Sequence, residues 1–127
     1  MEVINAGHII PFKQVIVCNM AVPFPIGRMF AQCAHASVMA VTDQGRWENG
    51  TLEIQTDPST EDWIRGNFTK VVVKAWGCEK LRDIYDRARY EKIPCSLMEE
   101  EGYVTAVALG PASSKTLHPL THQLALM

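Results

Sequence analysis

The sequence predicts a single-domain α/β protein with a four-stranded mixed sheet and helices on both faces. Residues 14–20 and 70–76 are β-branched runs typical of buried strands, whereas residues 28–42 are rich in Ala and Met and contain neither Pro nor Gly. Strands therefore alternate with helices along the chain, as in α/β architectures. A chain of 127 residues suits one domain, so we expect residues 1–127 to fold together behind an N-terminal tail at residues 1–12.

The first strand must end before Pro23 and Pro25, because proline is excluded from central strands. A loop to Gly27 follows, and the first helix is expected from Arg28 to about Thr42. Its small residues would allow close packing on a sheet.

Residues 45–56 contain Asn49-Gly50, which is a tight-turn signal. We expect a loop or a small hairpin there. A second helix over residues 59–65 follows from Asp57 as N-cap and Pro58 at the first helical position. Trp63 is expected to anchor this helix to the core.

The second half begins with the clearest strand, residues 70–76, and Gly77 separates it from a third helix. The apolar residues of that helix recur at helical spacing: Leu81, Ile84, Tyr85 and Ala88. Residues 95–98 and 103–109 predict the third and fourth strands, the latter ending at Gly110-Pro111. A short final helix within residues 113–127 should break or kink at Pro119.

Composition excludes several classes of protein. The 12 basic residues are balanced by 14 acidic ones at a pI near 6.1, so any phosphate site must be local. The four cysteines form no Cys-x-x-Cys pair, which predicts reduced thiols rather than zinc ligands, and His118 with His122 lacks a third metal ligand. The chain begins without a signal-peptide pattern, and its apolar run is interrupted by prolines, so we expect a cytoplasmic protein with no membrane span, metal or cofactor.

The first helix carries a polar stripe. Arg28, Gln32 and His35 recur at steps of four and three, which places a cation, an amide and an imidazole on one helical face. Such a stripe can hold a polar ligand, and Arg28 lies near a helix N-terminus that favours anions. In the alternative interpretation, Gln32 and His35 only bond to neighbouring backbone in a partly buried interface.

The same stripe lies in a segment, residues 27–36, that resembles the first-helix signature of the type 2 peptidyl-tRNA hydrolase family. Similar segments follow in the same order at residues 70–74, 94–98, 105–111 and 120–124, so the resemblance covers about three quarters of the chain. The resemblance implies a four-stranded mixed sheet, often a homodimer, and hydrolysis of the ester that joins a peptide to the 3′ end of tRNA.

Two departures from the family pattern concern activity. Residues 23–26, Pro-Phe-Pro-Ile, stand where the family carries a lysine-rich stretch, which leaves Arg28 as the basic match. Residues 99–102, Glu-Glu-Glu-Gly, stand where the family carries an Asp-Ala-Gly-Arg-Thr loop with a catalytic aspartate and threonine. Thr105 alone matches the family's second functional threonine.

These departures favour a catalytically degenerate binding protein over an enzyme. We expect Arg28, Gln32, His35 and Thr105 to form a pocket for a small nucleotide-like ligand. The protein would sequester this ligand, as some viral counter-defence proteins do. Thr105 and Glu100 are the candidate catalytic residues if activity remains. One alternative is an active peptidyl-tRNA hydrolase that binds the tRNA 3′ end through a rebuilt acidic turn, and another is a structural dimer without a ligand.

Overall fold

The computed structural model describes residues 12–127, so the expected N-terminal tail lies outside the described residues except for Phe12, which begins the first strand. The strands are β1 (Phe12–Asn19), β2 (Gly45–Glu48), β3 (Thr51–Ile54), β4 (Lys70–Ala75), β5 (Cys95–Glu100), β6 (Tyr103–Ser113) and β7 (Ala125–Leu126). The helices are α1 (Ile26–Thr42), α2 (Pro58–Arg65), α3 (Cys78–Tyr90) and α4 (Ser114–Thr121).

The main sheet is mixed and has the order β5-β6-β1-β4-β7. Strands β1 and β4 are parallel, and every other neighbouring pair is antiparallel. Five strands stand where four were expected, because the chain end adds β7 to the edge of β4. A two-residue strand has no periodicity from which a sequence could predict it.

Helices cover both faces of this sheet, as predicted. On one face α3 and α4 pack on odd-numbered residues of β1, including Val15 and Val17. On the other, α1 packs Met29, Cys33, Ala36 and Ala40 against residues that include Ile16. The small side chains Ala36 and Ala40 are fully buried, so the helix backbone can approach the sheet closely.

The segment at residues 45–56 is a hairpin of β2 and β3, joined by Asn49-Gly50 in the left-handed region that such turns require. The helix predicted after it is also confirmed. Asp57 caps α2 by accepting a hydrogen bond from the Thr60 amide at 2.8 Å. Trp63 is 2% exposed, in agreement with its expected anchoring role.

Two elements run past the point where a proline was expected to interrupt or end them. Strand β6 continues past Gly110-Pro111 to Ser113, because its last residues pair with β1 beyond a register shift near Gln14, whose side chain donates to the Gly110 carbonyl at 3.3 Å. Helix α4 continues through Pro119, which excludes the predicted break, whereas the alternative of a kink stays a prediction. A proline removes one helical hydrogen bond, here the bond to the backbone carbonyl of Lys115. Lys115 is exposed, so water can satisfy that carbonyl and the helix can continue.

The sheet presents one edge that matters for function. Strand β5 is antiparallel to β6, and β6 is antiparallel to β1, so β1, β4 and β5 all end on the same side. We call this side the carboxyl edge. The start of α1, the β5–β6 turn and the loop after β4 all lie along it.

Candidate functional site

Helix α1 starts at the carboxyl edge, at Ile26, two residues before the predicted start. The preceding Pro25 supplies its carbonyl to the amides of Arg28 and Met29 at 3.0 and 3.1 Å. The Arg28 amide is therefore already bonded to backbone, and an anion site at this helix start stays a prediction. The Arg28 side chain, by contrast, projects from the first turn and is 34% exposed.

The acidic segment between β5 and β6 is a two-residue hairpin turn. Glu101 and Gly102 have φ values of 52° and 86°, and Glu100 pairs with Tyr103 across the ladder. Consecutive positive φ values at the two central residues match the twist of a tight hairpin. The turn therefore holds Glu100 at the end of a regular strand, opposite the start of α1.

Thr105 occupies a bulge in the β5–β6 ladder. Met98 pairs with Ala106 and Glu99 pairs with Val104, which leaves Thr105 without a partner. The extra residue changes the phase of the strand, so Thr105 and Ala106 both face α1. Bulges re-aim side chains in this way beside active sites.

A chain of hydrogen bonds connects this bulge to the acidic turn. The Thr105 hydroxyl donates to Oε1 of Gln32 at 2.6 Å, and Nε2 of Gln32 donates to Oε1 of Glu100 at 2.6 Å. Gln32 is 4% exposed and Thr105 is fully buried. The hydroxyl therefore fixes which end of the amide points at the Glu100 carboxylate.

The Arg28 guanidinium holds the other oxygen of that carboxylate. Its Nε donates to Oε2 of Glu100 at 2.8 Å, and Nη2 bonds both Oε2 of Glu100 and, at 2.6 Å, Oε2 of Glu101. On its far side the guanidinium lies 3.7 Å from the centre of the Phe24 ring, in cation–π geometry. Phe24 in turn meets Tyr103 edge to face at 5.6 Å.

This arrangement sets the charge state of the site. The Arg28 hydrogen bonds hold the pKa of Glu100 below its usual range, and the Gln32 amide and the charge of His35 contribute in the same direction. The carboxylates of Glu101 and Glu100 raise the pKa of Arg28. Both groups are therefore charged at neutral pH, and Glu100 is a carboxylate that accepts hydrogen bonds on both oxygens.

The structure thus brings together Arg28, Gln32, Glu100 and Thr105. His35 is exposed on the same helix and has a charge interaction with Glu100. The Thr105 hydroxyl and the Gln32 amide bond one another. That Arg28, Gln32, His35 and Thr105 bind a ligand stays a prediction. The sequence analysis missed Phe24, whose only sequence signal was an aromatic residue between two prolines.

Asn19 was not predicted from the sequence either, and its side chain connects three segments at the carboxyl edge. This 1% exposed side chain donates to the Val104 carbonyl at 2.8 Å and accepts from the amides of Ala21 and Gly77 at 3.0 Å each. The loops after β1 and β4 are thereby fixed to the start of β6. Val104 precedes Thr105, so Asn19 also anchors the backbone of the site.

Within residues 12–127 no three His, Cys, Asp or Glu side chains cluster closely enough to hold a metal ion. Cys18 and Cys33 are buried, Cys78 and Cys95 are half-buried, and all four are free thiols. None of the helices described over those residues is long and apolar enough to cross a membrane.

A family model described as "Peptidyl-tRNA hydrolase PTH2" matches residues 12–127. The chain belongs to this family. A curated protein from Methanocaldococcus jannaschii, named peptidyl-tRNA hydrolase, is 32% identical over 122 residues that cover 91% of this chain and 99% of that protein. A protein of the same name from Haloquadratum walsbyi is 31% identical over 121 residues, covering 90% and 98%.

These relatives overturn the function that the sequence analysis favoured. Proteins named as hydrolases match nearly from end to end, which supports the alternative of an active hydrolase. The predictions of catalytic degeneracy, ligand sequestration and viral counter-defence were wrong. The physical reason lies in the acidic turn, which stands where the family's catalytic loop was expected and places an ionised carboxylate against α1.

Proposed function

We propose that this protein hydrolyses the ester that joins a peptide to the 3′ end of tRNA. The observation that carries the proposal is the Arg28–Glu100–Gln32–Thr105 network at the carboxyl edge, in a chain that belongs to the type 2 family. Relatives that bear the name peptidyl-tRNA hydrolase support the same substrate. The cytoplasmic location expected from the sequence is consistent with it and stays a prediction.

Glu100 is the proposed general base. Its side chain is 36% exposed, so water can reach the carboxylate, which takes a proton as the water oxygen attacks the ester carbonyl. Collapse of the tetrahedral intermediate breaks the bond to the ribose 3′ oxygen, and the proton passes to that leaving group. Positioned general bases contribute about 10² to 10⁴ in rate, and the lowered pKa of Glu100 favours the lower part of that range because a weak base accepts protons less readily.

Thr105 is a positioning residue in this proposal. It is fully buried, so it acts through Gln32 rather than on the substrate. By holding the Gln32 amide in one orientation, it keeps Nε2 directed at Glu100 and leaves a single geometry for the carboxylate. Preorganisation of this kind lowers the barrier because nothing needs to rearrange during the reaction.

Arg28 is the proposed electrostatic partner of the reaction. Its partly exposed guanidinium is confined between the Phe24 ring and the two carboxylates, so its position is fixed. A guanidinium beside the ester stabilises the negative charge that develops on the carbonyl oxygen. His35, exposed on the same helix, is assigned to contact with substrate and not to proton transfer.

A deacylation assay with an N-blocked aminoacyl-tRNA tests the proposal. The wild-type protein should release the acylated amino acid, and Glu100→Gln should lower kcat about a hundredfold while the protein remains folded. Glu61→Gln is the matched control, since Glu61 forms an exposed ion pair with Arg65 on α2. Absence of hydrolysis by the wild type, or full activity of Glu100→Gln, would contradict the proposal.

We further propose that the protein forms a homodimer through a groove between α1 and α2. The groove has a volume of about 500 Å³ and is almost entirely apolar. Its exposed rim includes Val38 at 59%, Ile64 at 45% and Phe68 at 47%, and a contiguous apolar surface of this kind favours a protein partner. Sedimentation equilibrium should give a dimer for the wild type and a monomer for Val38→Lys, whereas Tyr90→Lys, at an exposed site on α3, should remain dimeric.

A further inference from the structure

An exposed indole lies beside a lysine ammonium on the carboxyl edge. Trp76 directly follows β4 and is 62% exposed, and the Lys74 Nζ lies 6.0 Å from the centre of its ring. This contact places the two side chains on the same side of the sheet. Among residues 12–127, Lys74 forms no ion pair, which leaves its charge available.

The indole has a fixed position relative to the candidate site. Ala75 is paired with Asn19 in β1, and Cys18 is paired with Ala106 in β6. Two strand spacings therefore separate Trp76 from Thr105, a distance of about 10 Å. The Asn19 side chain bonds both the Gly77 amide and the Val104 carbonyl, so the two segments are held together.

Charge at the carboxyl edge is asymmetric. At the β5–β6 end, three glutamates face two arginines. Arg82 pairs with Glu99, and Arg28 is shared between Glu100 and Glu101, which leaves one excess negative charge. Phosphate groups are disfavoured beside that turn. At the β4 end, Lys74 contributes an ammonium, and the first turn of α3 carries one acidic and one basic residue, Glu79 and Lys80, whose charges balance. An RNA strand whose 3′ end reaches Glu100 therefore leaves the site more favourably across β1 and β4.

We propose that Trp76 and Lys74 form a subsite for the single-stranded 3′ end of the RNA. One base stacks on the exposed indole, and a neighbouring phosphate pairs with the Lys74 ammonium. Single strands are bound in this way because every base has an aromatic face, which makes stacking tolerant of sequence, while cations follow the backbone. This subsite rests on the proposed function, since it requires the substrate to carry an RNA end.

Binding of a fluorescein-labelled single-stranded RNA oligonucleotide that ends in CCA, followed by anisotropy, tests the subsite without catalysis. Trp76→Ala should raise Kd about tenfold, and Trp76→Phe should raise it less because a ring remains. Trp47→Ala is the matched control, since Trp47 is 72% exposed on the remote β2 strand and should leave Kd unchanged. Lys74→Ala should lower the slope of log Kd against log salt by about 0.7, the value for one phosphate contact on a single strand.

The outcomes separate this subsite from the proposed function. If the wild type does not hydrolyse N-blocked aminoacyl-tRNA but Trp76→Ala still weakens oligonucleotide binding, the subsite stands and the hydrolase proposal fails. If hydrolysis is normal and Trp76→Ala changes neither Kd nor KM, the subsite is overturned. A change of sedimentation coefficient in Trp76→Ala with unchanged Kd would also overturn it, because the indole would then belong to an interface between copies of the chain.

Discussion

The Thr105 hydroxyl and the Gln32 amide form a fully buried pair, with the hydroxyl donating to Oε1 at 2.6 Å. Thr105→Val removes the donor while keeping the shape, and it leaves Oε1 of Gln32 buried without its strongest partner. We expect a loss of about 1–3 kcal/mol in the free energy of unfolding, measured by urea denaturation. We also expect a lower kcat with little change in KM, because the Gln32 amide loses its fixed orientation.

Thr105→Ser is the control for that substitution. Serine retains the hydroxyl and lacks only a methyl group, so the orientation of Gln32 and most of kcat should survive. Equal losses of kcat in the valine and serine variants would mean that packing at the bulge matters rather than the hydrogen bond.

The acid limb of the pH profile should report the Arg28–Glu100 pair. The Arg28 hydrogen bonds lower the pKa of Glu100, so the carboxylate and its contribution are present at neutral pH and are lost as the pH falls through that lowered value. Arg28→Gln should raise the pKa of Glu100, which moves the acid limb of kcat/KM to higher pH. Arg46→Gln, which removes an exposed partner of Glu53, should leave the limb in place.

Asn19 should be among the positions least tolerant of substitution. Asn19→Ala leaves the Val104 carbonyl and two amides, at Ala21 and Gly77, without their buried partner. We expect a loss of at least about 1–3 kcal/mol, the usual cost of one unsatisfied buried group, because Val104 is fully buried whereas Ala21 and Gly77 are partly open to water. Asn19→Asp can still accept from both amides but cannot donate to Val104, so thermal unfolding should place it between the wild type and Asn19→Ala.

Sequence patterns predicted the elements that depend on local chemistry. The Asp57 cap and the Asn49-Gly50 turn follow from residues adjacent in sequence. The cap was predicted outright, and the hairpin was one of the two structures expected for its segment. The stripe of Arg28 and Gln32 was visible for the same reason, because helical spacing alone puts the two side chains on one face.

What the sequence could not predict depends on pairings between distant segments. The nearly continuous apolar run along β6 gives no sign of the bulge at Thr105, which arises from its register with β5. Likewise, three consecutive glutamates are typical of a solvated turn, and only the docking of α1 against that turn gives Glu100 two defined partners. The functional inference failed at this point, because a missing loop was taken to mean a missing base.

The second carboxylate on Arg28 should limit the affinity for RNA. Glu101 bonds the guanidinium from the hairpin turn with a side chain that is 64% exposed, and it adds negative charge where the substrate approaches. Glu101→Gln removes that charge and keeps the size of the side chain. We therefore expect a several-fold lower KM for N-blocked aminoacyl-tRNA at low salt, with an unchanged kcat. The difference should fade as salt is raised, because exposed charges are screened over about 10 Å at 0.1 M ionic strength.

Glu53→Gln is the control for that substitution, because it removes the same charge from the remote hairpin, where Glu53 lies 3.3 Å from Arg46. An equal fall in KM in both variants would assign the effect to net charge and not to the release of Arg28.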